Sequence, residues 1–420
     1  MYYGFNIDEK LIKLSNNVEE KIKPLFKEVE QISLLNSAKV LKAFQEERVG
    51  TNDFCEITGY GFSDDGRDKL ERIYARIFKA EDALVRPQIM SGTHALSLTF
   101  FGLLKHGDTM ISISGEPYDS LKSIIGIEGD SRNSMIKHGI KYEQIELINN
   151  DFNISTIKKR LSKQDVKLVE IQRSRGYSQR KSLTIDQIEK VCSAIREVNK
   201  DVIIMIDNCY GDFVEDKEPI EVGADIIVGS LMKNLGGGLA KTGGYIVGRK
   251  DLIEDVAERF SAPCLGKNIG ANLNQNLNFY KGLYLSPNVV CNSIKTMIFA
   301  SCMLEELGFN VEPKYNEKRT DIIQTITLNT ADNLVSFCKG IQMGSPVESY
   351  VTPMPAPMDG YPHDEVMAGG SFISGSTIEL SCDGPMVAPY NGFMQGGLTY
   401  EYGKLGILIG LNEVLENLKK

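Results

Sequence analysis

The pattern of apolar and polar residues changes twice along this chain, and each part predicts a different kind of structure. Residues 7–48 carry apolar side chains at spacings of three and four, which is typical of a helix with one buried face. From about residue 80, short runs rich in β-branched residues alternate with stretches of helical spacing. Beyond residue 285 the pattern predicts one more helix and then a region rich in Gly, Pro and Ser.

The middle part predicts a mainly parallel sheet. Its apolar runs predict strands at 108–114, 166–172, 202–207, 225–229 and 244–248, and helical spacing occurs between them at 93–104 and 185–198. Such alternation is typical of a parallel sheet with helices on both faces. Ligands of these sheets bind beyond the carboxyl ends of the strands, so the chemistry is expected in the segments that follow these runs.

These changes of pattern predict three segments. Residues 1–50 form an N-terminal helical arm, 51–285 a large domain and 286–420 a smaller α+β domain. Pro24 is expected to kink the first helix or to begin a new one, and Pro287 to open the helix that follows it.

Composition and charge exclude several classes of protein. Apolar residues make up 42% of the chain and charged residues 25%, which are ordinary values for a globular protein rather than a disordered one. The 47 basic residues against 56 acidic ones argue against nucleic acid as a partner. The eight cysteines include no C-x-x-C pair, so neither a metal site nor a disulfide framework is expected. Without a signal peptide or an apolar run of membrane length, we expect a cytoplasmic protein that does not bind membranes.

An acid and a lysine follow two of the predicted strands. Asp207 ends one strand, and the next runs through Ser230 to Lys233, which precedes three glycines. Pyridoxal 5'-phosphate needs such a pair, because a lysine forms its Schiff base and a carboxylate keeps its pyridine nitrogen protonated. Taken singly, Asp207 could cap a helix and Lys233 could be a surface charge, but their joint position favours the cofactor. Lys241, which follows the glycines rather than the serine, is the disfavoured alternative lysine.

Two further segments fit this cofactor. Ser91-Gly92-Thr93 is a turn of small residues that enters a predicted helix, where free N–H groups can bind a phosphate. The same turn is equally consistent with a routine helix cap. Tyr118, in Gly115-Glu-Pro-Tyr118 after a strand, could stack on the pyridine ring or be an ordinary loop residue.

The order of these residues resembles that of fold-type I pyridoxal-phosphate enzymes, in the branch of cysteine and methionine metabolism. Longer segments are similar to the aluminium-resistance protein group, which is also described as a methionine γ-lyase or cystathionine β-lyase family. These segments are Gly59-Tyr-Gly-Phe-Ser-Asp-Asp-Gly-Arg67, Leu84-Val-Arg-Pro-Gln, Lys233-Asn-Leu-Gly-Gly-Gly, Gly282-Leu-Tyr-Leu-Ser-Pro, Ser349-Tyr-Val-Thr-Pro and Gln395-Gly-Gly-Leu-Thr-Tyr. The resemblance runs from about residue 5 to the C-terminus.

The resemblance implies a fold and an activity. The fold is α/β and aspartate aminotransferase-like, with a large, mainly parallel sheet domain and a small α+β domain drawn from both chain ends. The assembly is a homodimer at minimum and a homotetramer in full, with active sites shared between subunits. The activity is carbon–sulfur lysis of a sulfur-containing amino acid by β- or γ-elimination. Another pyridoxal-phosphate reaction, such as that of an aminotransferase or aldolase, and a non-catalytic metal-stress role are the alternatives.

The resemblance also assigns roles to residues. Lys233 is the Schiff-base lysine and the base for the Cα proton, Asp207 the partner of the ring nitrogen, and Tyr118 the stacking aromatic and a proton donor to sulfur. The phosphate ligands are Ser91, Gly92, Thr93 and Ser230, with Tyr60 and Arg67 expected from the neighbouring subunit.

The cation for the substrate carboxylate does not follow the family pattern. The better-studied members use an arginine of the C-terminal domain, but no arginine follows Arg319 in this chain and no lysine lies between 340 and 403. Arg173 and Arg175, at a predicted strand end, are the candidates, followed by Arg86. A salt bridge is the equal alternative for each of them.

Overall fold

The structure, a computed structural model, describes residues 4–62, 64–178, 180–358 and 361–419. Across these residues the α-helices are α1 (Glu9–Glu46), α2 (Asp65–Phe78), α3 (Gly92–Leu103), α4 (Asp119–Ile125), α5 (Ile154–Leu161), α6 (Ile185–Val198), α7 (Lys250–Phe260), α8 (Asn276–Glu306), α9 (Ala331–Met343) and α10 (Tyr400–Leu418).

The chain divides into two compact units. One unit comprises Met1–Leu35 and Ser286–Lys420, and the other comprises Asn36–Leu285. Both divisions fall within long helices, α1 and α8. The first division lies at Leu35, whereas the sequence pattern placed a boundary at 50.

The unit Asn36–Leu285 is built on one seven-stranded sheet. Its strands are β1 (Asp82–Arg86), β2 (Thr109–Ser112), β3 (Lys141–Gln144), β4 (Leu168–Gln172), β5 (Ile203–Asp207), β6 (Ile226–Ser230) and β7 (Gly244–Gly248). The order is β1-β7-β6-β5-β4-β2-β3, with β7 antiparallel to its neighbours and every other pair parallel. Each of the five predicted strands is present within two residues at either end, and so are the two predicted helices, α3 and α6. The predicted α/β fold class is confirmed.

Helices cover both faces of this sheet because its strands are apolar on both sides. Val228 and Ile246 belong to the core formed with α3 and α7. Tyr245, which points to the opposite face, has ring contacts with Tyr74 and Phe78 of α2. The sheet is therefore buried in the manner of a doubly covered parallel sheet.

The register brings the carboxyl ends of β4, β5 and β6 to one edge. Gln172 lies opposite Asp207, and Asp207 lies opposite Val228. Ser230, which ends β6, lies opposite Gly244 of β7. The segments after Asp207 and Ser230 therefore start side by side.

The other unit contains a five-stranded antiparallel sheet. Its strands are β8 (Asn310–Glu312), β9 (Ile323–Thr327), β10 (Glu365–Ala368), β11 (Ser381–Pro385) and β12 (Asn391–Gln395), in the order β10-β11-β12-β9-β8. Helices α9 and α10 pack closely, since a Cβ added at Gly340 would lie 2.5 Å from the Cα of Gly410. This α+β arrangement agrees with the fold class.

The two prolines do not begin helices. Pro24 lies inside α1 and Pro287 inside α8, so the helix start predicted at Pro287 is wrong, and of the two alternatives for Pro24 the start of a new helix is excluded. A proline removes one backbone donor from a helix. Burial of apolar side chains such as Ile22 and Val290 offsets that local cost. None of the helices in the described ranges combines the length and the apolar character that a membrane span requires.

Candidate active site

Three segments that the sequence singled out meet at the carboxyl edge of the large sheet. Asp207 ends β5, and Lys233 follows Ser230 at the end of β6. Gly92 opens α3, and a Cβ added to it would lie 3.0 Å from Sγ of Cys209 and 3.4 Å from Cβ of Ser230. The start of α3, the segment after β5 and the end of β6 therefore enclose one narrow space.

The start of α3 offers polar groups to this space. Ser91 is the residue before the helix, and its hydroxyl accepts a hydrogen bond from the His94 N–H at 3.1 Å. The N–H groups of Gly92 and Thr93, in the first turn, have no acceptor within the helix. Together with the helix dipole, such groups are suited to binding an anion.

Asp207 is held away from water. Its carboxylate is 5% exposed and accepts a hydrogen bond from the Cys209 N–H at 3.0 Å. Burial raises the pKa of Asp207, while hydrogen bonding to Cys209 and the charges of Lys233 and Arg180 offset part of that rise. A carboxylate in this environment is stabilised by a cation close to it.

Lys233 lies beside an aromatic ring. Its Nζ is 3.8 Å from the centroid of the Tyr210 ring and over the ring face. Burial alone would lower the pKa of Lys233, but Tyr210, Cys209 and Asp207 outweigh it, and the pKa is raised. The amine is therefore held as an ammonium group in this state.

Tyr118 lies between the Ser91-Gly92-Thr93 turn and Asp207. Its backbone N–H donates to Oε1 of Gln172 at 3.1 Å, which fixes the start of α4 against β4. Burial raises the pKa of the Tyr118 phenol well above its ordinary value, and Asp207 adds to the rise, while hydrogen bonding to Thr93 lowers it in part. The phenol is therefore a protonated donor close to Thr93 and Asp207.

Arg173 does not face this space. Its guanidinium is fully buried, and it donates to Oδ1 of Asn208 at 2.8 Å, to the carbonyl of Gly211 at 3.0 Å and to Oε1 of Glu215 at 3.1 Å. The segment after β5 wraps around this side chain. Its predicted role in binding a substrate carboxylate does not fit this burial, because the group is already desolvated and paired.

The other two candidate arginines are also buried. Arg175 is 3% exposed, in a turn where its N–H donates to the Ser182 hydroxyl at 3.0 Å. Arg86 is fully buried, 3.1 Å from Oε1 of Glu71, and donates to the carbonyl of Lys267 at 2.9 Å. Burial alone does not exclude a role beside a buried site, so a substrate-carboxylate contact of Arg175 or Arg86 stays a prediction.

Tyr60 and Arg67 are placed in contrasting ways. Tyr60 is 77% exposed, whereas Arg67 is 3% exposed. Arg67 forms ion pairs with Asp64 and Asp68 at 2.9 Å each and donates to the carbonyl of Gly270 at 3.0 Å. Arg67 therefore ties the start of α2 to the segment at Gly270, and its predicted role as a ligand for a neighbour's phosphate does not fit this pairing. Tyr60 is placed where such a contact is possible.

Three residues near the site were missed by the sequence analysis. Tyr210 lies under Lys233. Glu170 is a fully buried carboxyl on β4, and Arg180 donates to the carbonyls of Gln172 and Ser174 at 2.7 Å each. Glu170 could have been noticed as an acid inside an apolar run. No local pattern distinguishes Tyr210 or Arg180.

The sheet order and the residues at its edge define the class: the fold is that of fold-type I pyridoxal-phosphate enzymes. The Escherichia coli pyridoxal-5'-phosphate dependent protein YhfS shares this fold at 16% identity with a TM-score of 0.62, covering 93% of this chain and 97% of that one. The family model for methionine gamma-lyase matches residues 11–415, so the chain belongs to that family.

Closer relatives cover nearly the whole chain. The Bacillus subtilis (strain 168) protein YnbB is 42% identical over 414 residues, which are 97% of each chain. The carbon–sulfur lyase involved in aluminum resistance from Clostridium novyi NT is 44% identical, with a TM-score of 0.93, and the match covers 97% of this chain and 96% of that one.

Proposed function

We propose that this protein is a pyridoxal 5'-phosphate-dependent carbon–sulfur lyase that acts on a sulfur-containing amino acid. The observation that carries the proposal is the placement of the Lys233 amine and the buried Asp207 carboxylate at the ends of two adjacent strands, beside the start of α3. Membership of the methionine gamma-lyase family supports it.

The residues present fit the cofactor. Gly92 lets the start of α3 approach Ser230 closely, so the first N–H groups of α3 and the Ser230 hydroxyl would hold one phosphate together. The hydroxyl groups of Ser91, Thr93 and Ser230 would add hydrogen bonds. Asp207 would hold the pyridine nitrogen protonated, which relieves the cost of burying its own charge. When bound, pyridoxal phosphate supplies an electron sink for negative charge formed at the substrate Cα.

The chain's own groups then move the protons. Lys233 would hold the cofactor aldehyde until the substrate amine takes its place, and its freed amine would accept the Cα proton as a general base. Tyr118 would stack on the ring and, with its raised pKa, would donate a proton to the departing sulfur. Loss of sulfur from Cγ needs one further proton removal, from Cβ, whereas loss from Cβ does not.

We also propose a cytoplasmic homodimer at minimum, and a homotetramer in full. Tyr60 and Phe62 support a subunit contact, because these neighbouring aromatic side chains are 77% and 83% exposed. The loop that carries them is fixed by a hydrogen bond of 2.8 Å from the Gly270 N–H to the Gly59 carbonyl. In the dimer, Tyr60 would reach the phosphate of the neighbouring subunit. Since the Arg173 guanidinium is paired in the interior, the cation for the substrate carboxylate would be Arg175, Arg86 or a group outside these three residues.

A product assay tests the proposal. The purified protein, incubated with cystathionine, cysteine and methionine in turn, should release ammonia with pyruvate after β-elimination or with 2-oxobutyrate after γ-elimination. Lys233→Ala should abolish release, and Lys241→Ala, at an exposed lysine eight residues further on, is the matched control. Turnover to a keto acid without free ammonia would identify a transaminase and contradict the proposal. So would unchanged turnover by the Lys233 variant.

A further inference from the structure

Tyr210 makes the direct aromatic contact with the proposed cofactor lysine. The Lys233 Nζ lies 3.8 Å from its ring centroid. The face of an aromatic ring attracts an ammonium group but not a neutral amine. The Tyr210 ring therefore favours the protonated form of Lys233, which is the residue that gains and loses a proton in the proposed reaction.

The backbone of Tyr210 is held in an unusual conformation. Its φ is +69°, in the left-handed region that residues other than glycine, asparagine and aspartate rarely adopt. Such a conformation persists only where the surroundings impose it, and it occurs often in functional sites.

A buried network imposes this conformation. The Asn208 amide donates to Oδ1 of Asp212 at 2.8 Å and to Oε2 of Glu218 at 3.0 Å, while its carbonyl oxygen accepts from Arg173 at 2.8 Å. All four of these side chains are at most 1% exposed. The turn that carries Tyr210 closes with a bond of 2.9 Å from the Gly211 N–H to the Asn208 carbonyl. Through its bond to Asn208, Arg173 therefore helps to fix the position of this turn.

The same network also holds the lysine. Asn234, which directly follows Lys233, donates from its side-chain amide to the carbonyl of Asp212 at 2.8 Å. The turn with Tyr210 and the turn with Lys233 are thus fixed to a common element. Buried polar contacts to Asp212 therefore set the distance between these two turns.

We propose that Tyr210 is a positioning residue that holds Nζ of Lys233 over its ring and stabilises the ammonium form. The inference rests on the proposed function, in which the proton leaves the substrate Cα and binds Nζ. Nζ lies over the Tyr210 ring, and Tyr210, Cys209 and Asp207 each raise the pKa of Lys233. Removing the ring should therefore weaken proton retention on Lys233 while Asp207 stays in place.

The test uses the cofactor-free protein, so it does not depend on turnover. The pKa of Lys233 is measured from the pH dependence of its reductive methylation, followed by peptide mass spectrometry. Tyr210→Asn and Tyr210→Gly remove the ring with residues that accept a positive φ, and Tyr210→Phe keeps the ring. We expect the two ringless variants to lower the pKa of Lys233 by about 0.5 to 1.5 pH units, and the phenylalanine variant to retain the parental value.

The outcomes separate this inference from the proposed function. An unchanged pKa in the ringless variants overturns the inference, and so does an equal drop in all three variants, which would assign the contact to the hydroxyl. Tyr402→Asn, at a tyrosine that is 75% exposed on α10, is the matched control. Failure of the parent protein to bind pyridoxal phosphate would overturn the proposed function alone. In loaded enzyme, the ringless variants should shift the pH profile of kcat, whereas KM should change little.

Discussion

Replacing Glu170 by glutamine is expected to remove a pH-dependent cost to folding. Glu170 lies opposite Met205 of β5, two residues before the position opposite Asp207, so the two carboxyl groups share a face of the sheet. It is fully buried, and within the described ranges neither carboxylate oxygen has a hydrogen-bond partner. Burial raises the pKa of Glu170 to about 7; the nearby Ser112 hydroxyl and Arg180 offset part of the effect, and Asp207 adds to it.

The sign and the size of the stability change follow from the raised pKa of Glu170. Because the pKa in the folded state lies above that of the unfolded chain, the unfolded chain loses its proton first, and the fold loses stability as pH rises from about 4.5 to about 7. The difference between these values, at roughly 1.4 kcal/mol per pH unit, amounts to about 3 kcal/mol. About 2 kcal/mol of this cost develops between pH 5.5 and pH 8.5, and it stays constant above the folded pKa.

Thermal unfolding of the parent and Glu170→Gln at these two pH values tests the prediction. A neutral amide carries no such cost, so the variant should gain roughly 2 to 4 °C over the parent on going from pH 5.5 to pH 8.5. Glu189→Gln, at an exposed acid on α6, removes a carboxylate without this burial and should parallel the parent. If Glu170→Gln also parallels the parent across this range, the carboxyl titrates normally and the reasoning is wrong.

Other substitutions test the remaining contacts. Arg173→Met should lower the free energy of unfolding by about 3 to 5 kcal/mol, because it removes the cation that pairs with the buried carboxylates of Glu215 and Glu218. Chemical unfolding against the parent measures this, and a loss below about 1 kcal/mol would contradict the structural role. Gly92→Ala should weaken pyridoxal phosphate binding by roughly tenfold or more in a fluorescence titration, because the Cβ of the alanine would lie 3.0 Å from Sγ of Cys209. Adding Cys209→Ala should restore part of the affinity. Asp207→Asn should keep the cofactor but lower kcat by roughly two orders of magnitude, and parental turnover would exclude its role at the ring nitrogen.

Local pattern predicted the sheet well because its strands are buried on both faces. Runs such as 202–207 are continuous in β-branched and apolar residues, and little else in the chain competes with that signal. The edge strand β3 was missed for the opposite reason. Strand β3, Lys141–Gln144, is polar and partly exposed, and it exists because β2 pairs with it.

The position of a residue at a strand end could be predicted, but the direction of its side chain could not. Asp207 and Lys233 were recognised because cofactor chemistry links them across adjacent strands. Arg173 lies at the same edge, yet Glu215 and Glu218, more than forty residues further along the chain, draw its guanidinium into the interior. Tyr210 depends in the same way on a network that no short motif reveals.

In the proposed carbon–sulfur lyase, Lys233 carries pyridoxal phosphate. Borohydride reduction of the purified, cofactor-loaded protein, followed by digestion and peptide mass spectrometry, tests the lysine most directly. We expect a reduced cofactor adduct on Lys233 and none on Lys241. An adduct on Lys241, or a Lys233→Ala variant that still forms a borohydride-sensitive adduct at full yield, would contradict this expectation.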